Sequence, residues 1–182
     1  MKKLAIFIVI TLLSLSLTGV AVAKGKGKAD FKITGGGIAE NFNWDGDVAV
    51  EYGPNLLTIG GFSAQGWDDG SGKGQIQAKT VLASDPTTPV ASIHGTVVCV
   101  EETTTPDWWE VRFLVTQATG QAALDGLLGG YGSLFVEDGG SPGAGNDFID
   151  EGFGDTGNPE CGGDDATSSS PEPVLSGNFT VH

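Results

Sequence analysis

From Phe31 onward the chain is a series of short runs in which apolar and polar residues alternate, separated by clusters of Gly, Asp, Asn and Pro. Period-two alternation marks a strand with one buried face. In the run Trp108–Gln117, Trp109, Val111, Phe113 and Val115 share one side, with Glu110, Arg112 and Thr116 opposite. This places Phe113 in the core and Arg112 on the solvent side, where truncation is expected to cost far less. Val48, Val50 and Tyr52 repeat the pattern, as do Phe179 and Val181. The predicted strands are Phe31–Thr34, Asp47–Tyr52, Leu56–Ala64, Gln75–Leu82, Val90–Glu101, Trp108–Gln117, Tyr131–Glu137 and Ser176–His182. Turn-forming clusters such as Trp44-Asp45-Gly46-Asp47 and Asp69-Gly70-Ser71-Gly72 separate them. Strands of this number and spacing predict an all-β fold, a single antiparallel β-barrel, with a β-sandwich as the alternative.

Two stretches depart from this pattern. Gln121 to Leu128 has helical character, held to a turn or two by Gly126 and Gly129-Gly130. Residues 138–172 hold nine Gly, three Pro, nine acids and no base. Such a composition buries little surface and predicts one long acidic Gly-rich loop within a single β domain spanning 31–182.

The N-terminus has a different chemistry. Lys2 and Lys3 precede an apolar run from Leu4 to Val20, and Ala21-Val22-Ala23 supplies a small-x-small cleavage pattern. Residues 1–23 therefore read as an export signal peptide, and 24–30 as a flexible basic tether. The residue after the cut is Lys24 and not the Cys of a lipoprotein. No second apolar span follows, so stable membrane insertion after cleavage is not expected. The mature chain is expected to be secreted or extracytoplasmic, in the periplasm, at the cell surface or in the medium.

Charge narrows the partners. Cleavage leaves 159 residues with seven basic and 23 acidic side chains, and no Lys or Arg follows Arg112. Polyanions are met by Lys and Arg, so nucleic acid is not an expected partner. The two cysteines, Cys99 and Cys161, have one intramolecular pairing available in an oxidising compartment. A bond between them would tie the acidic loop to a strand and close a ring worth roughly 3–4 kcal/mol on the chain-entropy model.

The acidic loop also carries the candidate metal ligands. Gly143-Ala144-Gly145-Asn146-Asp147-Phe148-Ile149-Asp150 resembles one calcium-binding nonapeptide of the RTX type, and a degraded second copy follows with Thr156 in place of the ligand Asp. A β-roll needs at least three stacked repeats, so the expectation reduces to one loop-held calcium on some of Asp147, Asp150 and Asp155. Trp44 and Trp67 adjoin Asp-Gly turns and are candidates for stacking on a glycan. Two apparent enzyme motifs fail on physical grounds. Gly139-Gly140-Ser141-Pro142-Gly143 matches a nucleophile elbow, but Pro142 has no N–H for an oxyanion. Gly152-Phe153-Gly154-Asp155-Thr156-Gly157 lacks the strand and helix of a dinucleotide site.

Several segments resemble, in order, the secreted bacterial post-COAP domains. They are Gly35-Gly36-Gly37, Ile59-Gly60-Gly61-Phe62-Ser63-Ala64, Gly74-Gln75-Ile76-Gln77, Ile93-His94-Gly95-Thr96-Val97, Val136 to Gly143, and Ser176 to His182. Gly139-Gly140-Ser141 departs from that family's Asn-Gly-Glu, and Asp150–Ala166 is expanded. The resemblance implies a secreted β domain without an established activity. The sequence thus reads as an exported non-catalytic β domain of unknown biochemical activity, a surface or extracellular structural or interaction module whose partner is not legible, a glycan or a cell-envelope component being the candidate. The alternative is a carbohydrate-binding or carbohydrate-active secreted protein stabilised by calcium.

Overall fold

The structure, a computed structural model, describes residues 27–40, 52, 55–124, 126–140, 147–152, 158–162 and 171–182. Residues 1–23, predicted as an export signal, lie outside the described residues, as do Trp44, Asp155, Ser141 and all of the predicted strand 47–52 except Tyr52. Eight strands are seen among the described residues: β1 Phe31–Glu40, β2 Leu56–Gly66, β3 Ser71–Leu82, β4 Asp85–Glu102, β5 Trp108–Gly120, β6 Tyr131–Glu137, β7 Phe148–Gly152 and β8 Glu172–Val181. One turn of helix, α1 (Gln121–Leu124), joins β5 to the approach of β6. The chain is all-β, as expected. Every pairing is antiparallel and sequential, and β8 returns to pair with β1, so the hydrogen-bonded order closes on itself.

Closure gives the sheet an inner and an outer face, and alternation decides which residue goes where. Ile33 of β1, Ala64 of β2, Ile93 of β4, Val111 and Phe113 of β5, and Val136 of β6 are buried together in one core. Trp109 packs against that core with its ring 4.7 Å from Phe31. Two inward hydroxyls, Thr58 and Thr80, face each other at 3.3 Å. Apolar groups such as Phe62, Ile93 and Phe179 line a pocket of about 40 Å³.

Most strands run further than the alternation alone predicts. β1 continues through Gly35-Gly36-Gly37, which pair with β2 on one side and β8 on the other. A glycine run usually signals a break, but here it serves packing. Phe62 and Phe179 are the cross-strand neighbours of Gly35, and their rings meet 5.5 Å apart. A Cβ on Gly35 would stand 2.3 Å from Phe179 Cδ1, so the two rings cover the backbone only because no side chain is there. The backbone stays extended while neighbouring aromatics supply the missing bulk.

The expected loop at 138–172 is corrected in one respect. Phe148–Gly152 forms β7 in its middle, pairing with β6 over five positions. The seam on the other side is much weaker, since β7 meets β8 only at Phe148–Pro173 and Ile149–Glu172.

Candidate functional site

Three places on this framework gather polar side chains, and each has a different role. The first lies on the outer face of β4, β5 and β6. Cys99, Arg112 and Ser133 sit in register across it, with Glu110 two residues from Arg112 on the same face. The sequence pattern assigns this face to solvent, but Glu110 and Arg112 are only 2 % and 3 % exposed. The segment 158–162 lies over them. Cys161 is disulfide-bonded to Cys99, 62 residues away. Gly162 N donates to Glu110 Oε2 at 2.8 Å, and Arg112 Nε donates to the Asn158 carbonyl at 2.6 Å. Beneath this strap Arg112 and Glu110 approach to 3.5 Å, and Ser133 links them, accepting from Arg112 and donating to Glu110. Each buried charge is thus met by an opposite charge and by hydrogen bonds, as a dry interior requires.

The expected Cys99–Cys161 bond is therefore present, and among the described residues no cysteine is free. Mass measurement of the protein is expected to fall two hydrogens below the dithiol value, with no thiol labelled in denaturant before reduction. Two labelled thiols would refute the pairing. Cys99, Glu101 and Cys161 are the one close group of metal-donor atoms among the described residues, and the sulfurs are already committed to each other.

The second place is the seam between β7 and β8. Asp147 is completely buried just before β7, and both its carboxylate oxygens accept backbone hydrogen bonds. Gly139 N donates to Oδ1 at 3.1 Å and Phe179 N to Oδ2 at 2.6 Å. Asp138 does the same one step along, accepting from Gly140 N and from Val181 N. Phe179 and Val181 are two residues apart on β8, and their N–H groups point to the side opposite β1. The carboxylates take donors that a longer β7 would otherwise have taken.

This arrangement bears on the predicted calcium ligands. Asp147 and Asp150 are three positions apart along an extended segment, which turns them to opposite faces. Asp147 meets Phe179 N, while Asp150 lies in register with Phe135 on the outer face, 8 % exposed. The structure does not bring these two carboxylates to one point.

A neighbouring acid is disfavoured in its charged form. Burial, then the nearby Asp107 and Asp147 carboxylates, push the Glu137 pKa above its ordinary value. A raised folded-state pKa means that stability is complete below the unfolded value and falls as pH rises through the folded one. Glu137→Gln is accordingly expected to melt slightly above the parent at neutral pH. The gap should close as the pH drops below the carboxylate range. The gap is expected to be small because much of the side chain faces water. A gap independent of pH would assign the effect to packing.

The third place is a shallow groove on the outer face of β2 to β5. Gly61, Gln77, His94 and Gln117 form one cross-strand row. Ser63, Gln75 and Thr96 form the next. Two adjoining depressions of about 390 Å³ share Gly61, Gln77 and His94. Among the described residues no carboxylate lines either, and Lys79 at one border is the only permanently charged side chain. Trp67, predicted as a stacking platform, sits half-buried in the β2–β3 turn with its indole N–H directed at the Gly27 carbonyl, away from this row. In the sequence Gln75, Gln77 and His94 figure only within the family resemblance, and neither they nor Gln117 are read as site residues. The visible signal was polar residues at every second position of β3 and β4.

Comparison with family models, curated proteins and solved structures returns no match.

Proposed function

We propose that this chain is an exported, non-catalytic interaction module built on a closed antiparallel β-barrel, presenting its outer face to a cell-envelope or extracellular partner. The observation that carries this reading is the disposition of the polar groups. The core is apolar, and Glu110, Arg112 and Asp147 among the buried charges each have partners in the protein. A general acid, base or nucleophile needs freedom to meet a substrate atom in a concave, partly desolvated place. The exposed polar groups are instead spread over an open surface suited to contact.

Export is supported by the N-terminal residues 1–23 and agrees with the disulfide, which persists outside the reducing cytosol. No helix among the described residues is long and apolar enough to cross a membrane. Strands can also cross a membrane, but they then turn apolar side chains to lipid. Here β3 and β4 turn Lys73, Gln75, Gln77, His94 and Thr96 outward and keep their apolar residues inside. That is the inverse of a membrane barrel. The post-COAP resemblance supports the same reading through its Gly-rich segments in β1 and β2.

The test is fractionation and binding. The mature protein, starting at Lys24, is expected in the exported fraction, and purified protein is expected to co-sediment with isolated cell-envelope material. Release of reducing sugar or of amines from that material would show an enzyme instead. Retention in the cytoplasm with residues 1–23 intact would refute the export assignment.

A further inference from the structure

We propose that the outer groove over Gly61 is a binding site for an uncharged glycan chain. This rests on the interaction-module reading and names the ligand class and the surface that takes it.

Three independent observations support it. The first is a glycine that the fold does not need. Gly61 lies inside β2, where glycine destabilises a strand relative to alanine. Its neighbours have a steric reason to be glycine: a Cβ on Gly36 would come 2.7 Å from the Gly60 carbonyl, and one on Gly74 would come 1.9 Å from the Ser63 carbonyl. A Cβ on Gly61 would meet nothing closer than 3.5 Å, an ordinary contact, and its φ lies outside the left-handed region. What the absent side chain preserves is the floor of the groove.

The second is a bulge beside that floor. His94 pairs with Gln117 and Gly95 with Val115, so Thr116 is the extra residue on β5. Bulges re-aim side chains and are enriched beside sites of function. This one turns two consecutive polar residues, Thr116 and Gln117, outward into the same depression.

The third is chemical. Gln75, Gln77, His94 and Gln117 project from adjacent strands, and none is tied by a side-chain hydrogen bond to another described residue. Each carries both a donor and an acceptor, or can, which matches a hydroxyl that also does both. Vicinal sugar hydroxyls present such pairs at the spacing of a side-chain amide. A polyanion finds one lysine here on a chain of formal charge −14, and a cation finds no carboxylate. A peptide recognised by strand addition needs a free edge, but β2 to β5 are each paired on both sides. A neutral polyhydroxylated chain is the ligand class that remains.

The experiment is affinity electrophoresis and calorimetry of the mature, oxidised protein. The probes are dextran, a mixed-linkage β-glucan, xylan and galactomannan, with polygalacturonate and a soluble random peptide pool beside them. At least one neutral polysaccharide is expected to retard the parent protein. Gly61→Phe, which fills the floor, and Gln77→Ala, which removes a wall, are each expected to weaken that binding at least tenfold. Gly61→Ala and Gln77→Ala are expected to melt within a few degrees of the parent, which separates lost binding from lost folding. No retardation by any neutral polymer overturns the proposal. So does retardation that both groove variants leave unchanged, although the interaction-module reading would then stand with its surface elsewhere. Binding of polygalacturonate or of the peptide pool through these same residues also overturns it, because the ligand class would be wrong. Cleavage of a bound polymer would instead remove the module reading itself.

Discussion

Arg112→Ala is expected to destabilise the protein as much as Phe113→Ala, about 3–5 kcal/mol each, although one removes a surface-pattern arginine and the other a core ring. For Phe113 the cost is the lost transfer of a fully buried ring and the cavity left behind. For Arg112 the mechanism is electrostatic. Truncation leaves Glu110, 2 % exposed, as a buried anion with no cation beside it, and it strips a donor from the Asn158 carbonyl and from Ser133. Breaking one side of a buried ion pair costs about 3–5 kcal/mol because the other charge stays buried. The control is the double replacement Glu110→Leu with Arg112→Met. Replacing a whole pair by apolar groups is often neutral, so the double variant is expected to be more stable than Arg112→Ala alone. Denaturant midpoints with unchanged slopes decide the matter. An Arg112→Ala protein within 1 kcal/mol of the parent would mean that the strap 158–162 does not seal this pair from water.

Arg112 also shows where the sequence stops being informative. The alternation in Trp108–Gln117 is a local pattern, and it separates the two faces of β5 correctly. Whether the polar face meets water depends on a segment about 50 residues later, anchored by a disulfide. The count of two cysteines in a chain read as exported was enough to predict that bond. It could not show that the same strap would cover Glu110 and Arg112. β7 was hidden for a similar reason. Phe148-Ile149-Asp150-Glu151 has too few apolar residues and too much flanking glycine to look like a strand, and it becomes one because β6 offers five paired positions. The glycine run of β1 misled in the opposite direction, since its bulk is provided by Phe62 and Phe179 on neighbouring strands. The outer groove shows only as polar residues on alternate positions of β3 and β4. Register brings Gly61, Gln77, His94 and Gln117 into one row, and register is set by long-range pairing.

Asp147→Asn is expected to loosen the seam between β7 and β8, at a cost of about 1–3 kcal/mol, because one of two buried backbone donors loses its acceptor. The residue is completely buried, and its carboxylate serves Gly139 N and Phe179 N with different oxygens. Asparagine has the same shape but only one acceptor oxygen, and its NH2 would face an N–H that it cannot satisfy. The weakness of the neighbouring ladder makes this costly. Only two residue pairs join β7 to β8, so the carboxylates of Asp147 and Asp138 carry much of the closure. Hydrogen exchange should therefore accelerate first at Phe179 and Val181. The β2–β3 ladder, paired over eleven positions, should stay protected. Uniform acceleration across all strands would mean that the seam does not open independently of the rest. A variant as stable as the parent would show that the carboxylate is not the acceptor that closes the sheet. Repeating the measurement with millimolar calcium tests the ligand set read from the sequence. If the cost of Asp147→Asn appears only when calcium is present, an ion rather than the two N–H groups is the partner of that carboxylate. If the cost is the same with calcium and with chelator, the buried acid is a backbone clasp, which is the role its hydrogen bonds assign to it.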